Sequence, residues 1–170
     1  MTWEGGTGPR GASRAQQYAE LQRGLAGLFT DERDAIANTA NFAALVFALL
    51  PDLNWAGFYF LRGEQLVLGP FQGRPACVRI APGHGVCGTA AQRRTSVLVP
   101  DVHAFPGHIA CDAASRSELV VPLIDAGRLL GVFDLDSPLP GRFDAEDQAG
   151  IEAAVRTLLE ATSFAGVAPY

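Results

Sequence analysis

A chain of 170 residues, 48% hydrophobic and 18% charged, is long enough to bury one core and too apolar to be disordered. Its 13 basic residues face 18 acidic ones, a net charge of −5 that leaves no basic footprint for nucleic acid, and all 13 are arginine, so the absence of lysine excludes Schiff-base and P-loop lysine chemistry. With no signal-peptide pattern, the chain is expected to be cytoplasmic, where its three cysteines serve catalysis, redox chemistry or metal rather than a disulfide scaffold.

Residues 1–13, MTWEGGTGPRGAS, are glycine-rich without an apolar centre and are expected to form a flexible leader. Tyr18, Leu21, Leu25 and Leu28 recur at helical spacing and predict a first helix, weakened by Gly24 and Gly27. A second helix is expected to open at Thr30, with Asp31, Glu32 and Asp34 in its first turn and an apolar stripe at Ile36, Ala40, Ala43, Phe47 and Leu50. The apolar run Phe42 to Leu50 stops at Pro51, too short to cross a bilayer. Short strand-like runs follow: NWAGFYFL, QLVLGPF, ACVRI, SVLVP, ELVVPLI and RLLGVFDLD, the last two joined in a hairpin that turns at Asp125-Ala126-Gly127. A last helix starts at Asp144, with Asp147 three residues on and Ile151, Val155, Leu158 and Thr162 along one side. The order predicts an α/β protein of the α+β kind, a largely antiparallel sheet with helices packed against it.

Strand alternation places Trp55 and Tyr59 on one face, separated by the small Gly57, and Asp134 and Asp136 together at a strand end. The aromatic pair fits a core as well as a ligand wall. The aspartates fit a solvated strand end as well as a carboxylate pair, the latter costly in a core unless partnered. Cys111 lies in the polar stretch HIACDAASRSELVVPL, beside Asp112, Ser115, Arg116, Ser117 and Glu118, surroundings unlike those of a buried structural cysteine. Cys77, Cys87 and Cys111 lack the short paired spacings of structural zinc, which argues against a zinc site shared with His84, His103 and His108. A Cys111 nucleophile paired with His103 or His108 has no local mark beyond ordinary loop histidines. GHGVCG, residues 83 to 88, matches a dinucleotide-binding glycine pattern, but TAAQRRT is too short for the crossover helix, and the glycines are read as allowing a close loop approach.

Taken together, NWAGFYFL, LVLGPFQGRPACVRI, GHGVCGTAA, DVHAFPGHIACDAASRSELVVPL and GVFDLDSP resemble the free methionine-(R)-sulfoxide reductases, a family built on a GAF domain. The resemblance runs from about Asn54 to Phe143 and implies a GAF-like fold, a six-stranded antiparallel sheet flanked by helices, over residues 14–164, with 165–170 a short tail. It further implies Cys111 as the catalytic cysteine, Cys77 as the resolving one and Cys87 as a third in a disulfide relay. Trp55 and Tyr59 correspond to aromatic substrate contacts, and Glu118, Asp134 and Asp136 to an acidic pocket around the ammonium and sulfoxide. The implied partners are free methionine-(R)-sulfoxide and thioredoxin, in a homodimer with no cofactor, metal or membrane. The carry-over also decides between the two readings of the aspartates, in favour of a crowded acidic group able to keep one proton. A competing reading makes the domain a small-molecule or redox sensor without chemistry.

Overall fold

The computed structural model describes residues 12–107 and 113–167; most of the leader, the end of the tail and residues 108–112, Cys111 among them, lie outside the described residues. Helix α1 spans Arg14–Leu28, and Ser13 caps it through a reciprocal box with Gln16. Gly24 earns its place inside this helix, since a Cβ there would stand 2.7 Å from Leu45 Cδ2 of the next one. Helix α2 covers Ala35–Leu49 and so begins five residues later than Thr30. The reason is local: Asp31 has a φ of +60°, Glu32 accepts the Arg33 and Asp34 amides, and Asp34 caps the Ala37 amide. The acidic run therefore sets the cap instead of filling the first turn. The buried face of α2 also differs from the expected stripe. Phe42, Ala43, Leu45, Val46 and Leu49 point inward, while Ile36 is 51% exposed.

Strands β1 (Trp55–Arg62), β2 (Gln65–Gly73), β3 (Arg79–Ile80), β4 (Val97–Val99), β5 (Ser117–Asp125) and β6 (Arg128–Ser137) form one sheet in the order β3-β2-β1-β6-β5-β4. All neighbours are antiparallel. The run ACVRI contributes only its last two residues to a strand; Ala76 and Cys77 belong to a loop. Asp125 pairs with Arg128 across Ala126 and Gly127, whose φ angles of +48° and +77° fit the two-residue turn that matches strand twist.

One sheet face carries Phe58, Phe133, Leu119 and Leu135 against α1, α2 and α4 (Ala145–Ala161), with Phe42 of α2 set edge-on at 5.4 Å and 4.8 Å from the Phe58 and Phe133 rings. Asp144 caps α4 in a box with Asp147 as expected. The fully buried Asp147 also accepts hydrogen bonds from the Tyr18 hydroxyl at 2.8 Å, Arg14 at 2.8 Å and Arg142 at 3.1 Å, which ties α1 to α4. The opposite face is covered by a helix absent from the sequence expectation, α3 (Gly85–Arg93), lying over Val120, Val132, Trp55 and Tyr59. The candidate site lies between this helix and the sheet.

Candidate active site

Register builds the site. Trp55 pairs with Asp136, and Asp136 with Glu118, so an indole and two carboxylates occupy one row across β1, β6 and β5. In the next row Gly57 pairs with Asp134 and Asp134 with Val120. A Cβ at Gly57 would lie 2.4 Å from Phe71 Cβ and 2.5 Å from Trp55 Cη2, so the missing side chain is what lets the indole lie across the strand. The indole stacks on Phe71 at 5.4 Å and on Tyr59 at 5.8 Å. Its Nε1–H donates to the Arg74 carbonyl at 3.1 Å, which anchors the loop running to Cys77.

Helix α3 supplies the thiol. The glycines of GHGVCG turn the chain at Gly83 and Gly85, both with positive φ, and let the helix press on the preceding loop, since a Cβ on Gly88 would stand 2.3 Å from the Ala81 carbonyl. The close-approach reading of this motif holds, and β4 after the helix pairs antiparallel, unlike a dinucleotide unit. Cys87 Sγ and carboxylate oxygens of Glu118 and Asp134 then lie within 4.8 Å of one another, all three residues buried.

Burial governs the protonation of this group. Asp134, 6% exposed, is pushed up to about 7 by loss of solvent, partly offset by hydrogen bonds from Cys87 and Glu118 and from the Leu135 amide. Glu118 is raised well above the usual carboxylate range, first by burial and then by the charges of Asp134 and Asp136. The Cys87 thiol is held protonated by burial and by Asp134 and Glu118. Burial, followed by the charge of Asp134, likewise keeps the Tyr59 phenol protonated. The solvated strand-end reading is thus overturned for Asp134, while Asp136 is half-buried at the pocket mouth with Trp55, Tyr59 and the loop Arg74–Ala76.

Of the eight site residues expected from sequence, seven are described: Trp55, Tyr59, Asp134 and Asp136 line this pocket, and Cys87 and Glu118 adjoin it through Asp134. Cys77 packs at its edge, follows Ala76 and is disulfide-bonded, whereas Cys87 is a free thiol. Cys111 and His108 lie outside the described residues. The remaining histidines take no part: His84 precedes α3 on the surface and His103 is exposed beside Asp101. Two contributors escaped the sequence reading, Phe71 beneath the indole and the Arg74 carbonyl. Only the β1–β2 register, which sets Phe71 opposite Gly57, reveals the first.

An antiparallel six-stranded sheet with three helices on one face and a short helix on the other defines a GAF domain, and the GAF domain family matches residues 12–161. The chain is similar to the free methionine-R-sulfoxide reductase of Escherichia coli, 49% identical over 146 residues that cover 86% of this chain and 88% of the relative. A solved GAF protein of Burkholderia vietnamiensis is 61% identical, covers 89% of this chain and 96% of its own and superposes with a TM-score of 0.86. The free methionine-R-sulfoxide reductase of Neisseria meningitidis, solved in complex with its substrate, is 41% identical over 88% of this chain and 90% of its own, with a TM-score of 0.84. The chain belongs to the free methionine-(R)-sulfoxide reductase family of GAF domains. None of its described helices is long and apolar enough to cross a membrane.

Proposed function

We propose that the protein reduces free methionine-(R)-sulfoxide to methionine, with the Cys111 thiolate attacking the sulfoxide sulfur. The oxygen leaves to the cysteine as a sulfenic acid, and methionine departs. Cys77 then condenses with that sulfenic acid, releasing water and forming a disulfide, which thioredoxin reopens by exchange. The sulfoxide oxygen needs a proton as its bond to sulfur breaks, and the Asp134–Glu118 pair supplies one. The observation that carries this reading is the buried acid group, able to hold a proton near neutral pH beside the stacked Trp55–Tyr59 wall. The disulfide at Cys77 and the free thiol at Cys87 support a Cys77–Cys111 pairing, with Cys87 in a lesser role in the relay.

Selectivity for the free amino acid follows from the same residues. A free α-ammonium pairs with the half-buried Asp136, or with Glu118 in the same cross-strand row, and a peptide bond removes that charge. The relatives named for this activity, and the solved neighbour holding its substrate, support the substrate class. A homodimer in the cytoplasm is the assembly and location that accompany this proposal.

Thiol counting on fully reduced protein tests it. Adding free methionine sulfoxide is expected to remove a pair of thiols per chain, and an unchanged count would turn the reading into a ligand-sensing GAF domain. Cys111→Ser abolishes turnover even with a strong chemical reductant. Cys77→Ser keeps a single turnover and loses recycling by thioredoxin.

A further inference from the structure

Cys87, Glu118 and Asp134 bring one thiol and two carboxylates within 4.8 Å of one another, in the interior between α3 and strands β5 and β6. Asp134 is hydrogen-bonded to Cys87, Glu118 and the Leu135 amide, yet its Oδ1 is buried and has no hydrogen-bond partner. A buried acceptor with nothing to accept is costly, and a cation is one group that satisfies it. Ligands at about 2.0–2.3 Å from a tetrahedral zinc lie roughly 3.5 Å apart, so closing on an ion asks for about 1 Å of side-chain adjustment.

We propose that Cys87, Glu118 and Asp134 form a binding site for a borderline-soft divalent cation of the zinc class, and that the bound ion excludes the sulfoxide from the same pocket. The second half rests on the functional reading above; the first does not. The donor set points to the ion. A thiolate favours zinc or cadmium over magnesium and calcium, and three protein ligands leave one coordination position open. Asp134 is the residue that the cluster shares with the pocket lined by Trp55, Tyr59 and the half-buried Asp136. On binding, the thiol proton and any carboxyl proton pass to solvent as the ion takes their place. The site thus gives the pocket an inhibitory state that costs the enzyme no oxidation.

Cadmium is the probe, and the full-length double variant Cys77→Ser, Cys111→Ser is the protein, because it retains Cys87 as its one thiol. A thiolate-to-cadmium charge-transfer absorption that saturates at a single ion per chain is expected, with none from magnesium or calcium. Adding Cys87→Ser removes the absorption. Glu118→Gln retains it and weakens binding by about tenfold or more, the scale on which altering even a supporting group of a metal site acts. No saturable band, a band that survives Cys87→Ser, or an affinity unchanged in Glu118→Gln overturns the site. Free methionine sulfoxide is expected to displace the ion and erase the band. Sulfoxide binding measured without cadmium, by Trp55 fluorescence in a Trp3→Phe background, separates the two ideas. If sulfoxide binds alone but leaves the band in place, the exclusion is wrong. If it does not bind at all, the functional reading fails while the cadmium site stands on its own spectrum.

Discussion

The indole of Trp55 lies across Gly57, its Cη2 2.5 Å from where an alanine Cβ would stand. The same missing Cβ faces Phe71 at 2.4 Å, so the stack Tyr59–Trp55–Phe71 exists only because one strand position is bare. Gly57→Ala is therefore expected to push the indole out of line and break its bond to Arg74. Overpacking of this kind costs about 1–3 kcal/mol, read from urea midpoints. The KM for sulfoxide should rise more than kcat falls, and a variant with wild-type stability and KM would remove the stack from the site.

Asp134 sets a pH dependence. Its unfolded-state pKa is close to the ordinary value of about 3.9, while burial raises it to about 7 in the folded protein. Between those values the folded state binds more protons than the unfolded one, so stability falls as pH rises through this window and levels off above it. Asp134→Asn removes the ionisation. Its melting temperature relative to wild type should improve from pH 4 to pH 7 and stay constant beyond, although the variant loses turnover. A difference independent of pH would mean that Asp134 is already charged in the fold.

The same group predicts the direction of the rate profile. If Asp134 and Glu118 donate the proton, kcat at saturating sulfoxide declines as pH rises through neutrality, and Glu118→Gln moves the midpoint. A profile that keeps climbing through this range would report only thiolate formation and place the proton source elsewhere.

Asp147 separates stability from function. Its fully buried carboxylate holds Arg142, Arg14 and Tyr18 at one point, away from the pocket. Asp147→Asn leaves Arg142 buried without its counter-charge and is expected to cost about 3–5 kcal/mol in chemical denaturation. Tyr18→Phe loses one hydrogen bond, about 1 kcal/mol. Activity per folded molecule should hold in both.

At the β5–β6 turn the prediction runs the other way. Ala126 sits at a φ of +48°, a conformation alanine tolerates poorly. Ala126→Asn places asparagine before Gly127 in the favoured pair and is expected to stabilise by up to about 1 kcal/mol, part of the roughly 1–2 kcal/mol that the left-handed conformation costs an L-residue. A lower denaturation midpoint would contradict the turn assignment.

Much of this was legible in advance, and where it failed the failures have causes. Period-two alternation is a property of a single strand, so Trp55 with Tyr59 and Asp134 with Asp136 could be placed on shared faces before any fold was known. The Asp144–Asp147 box and the Asp125–Arg128 hairpin are equally local. Helix α2 shows the opposite case. It is apolar nearly all round, and such a helix has no preferred inward face until neighbours select one, so Gly24 and the sheet, not the periodicity, exposed Ile36. Helix α3, short and rich in glycine and alanine, carried too weak a stripe to announce itself.

Residue type, order and spacing alone determined five of the six strands, the β5–β6 turn and which side chains share a face, because those depend on neighbours along the chain. Only the tertiary structure decided that Asp134 is buried and that Cys87 stands beside Asp134 and Glu118. Both outcomes depend on cross-strand register and on α3 closing over the sheet, contacts between segments far apart in sequence that displace the water on which a carboxylate's charge depends.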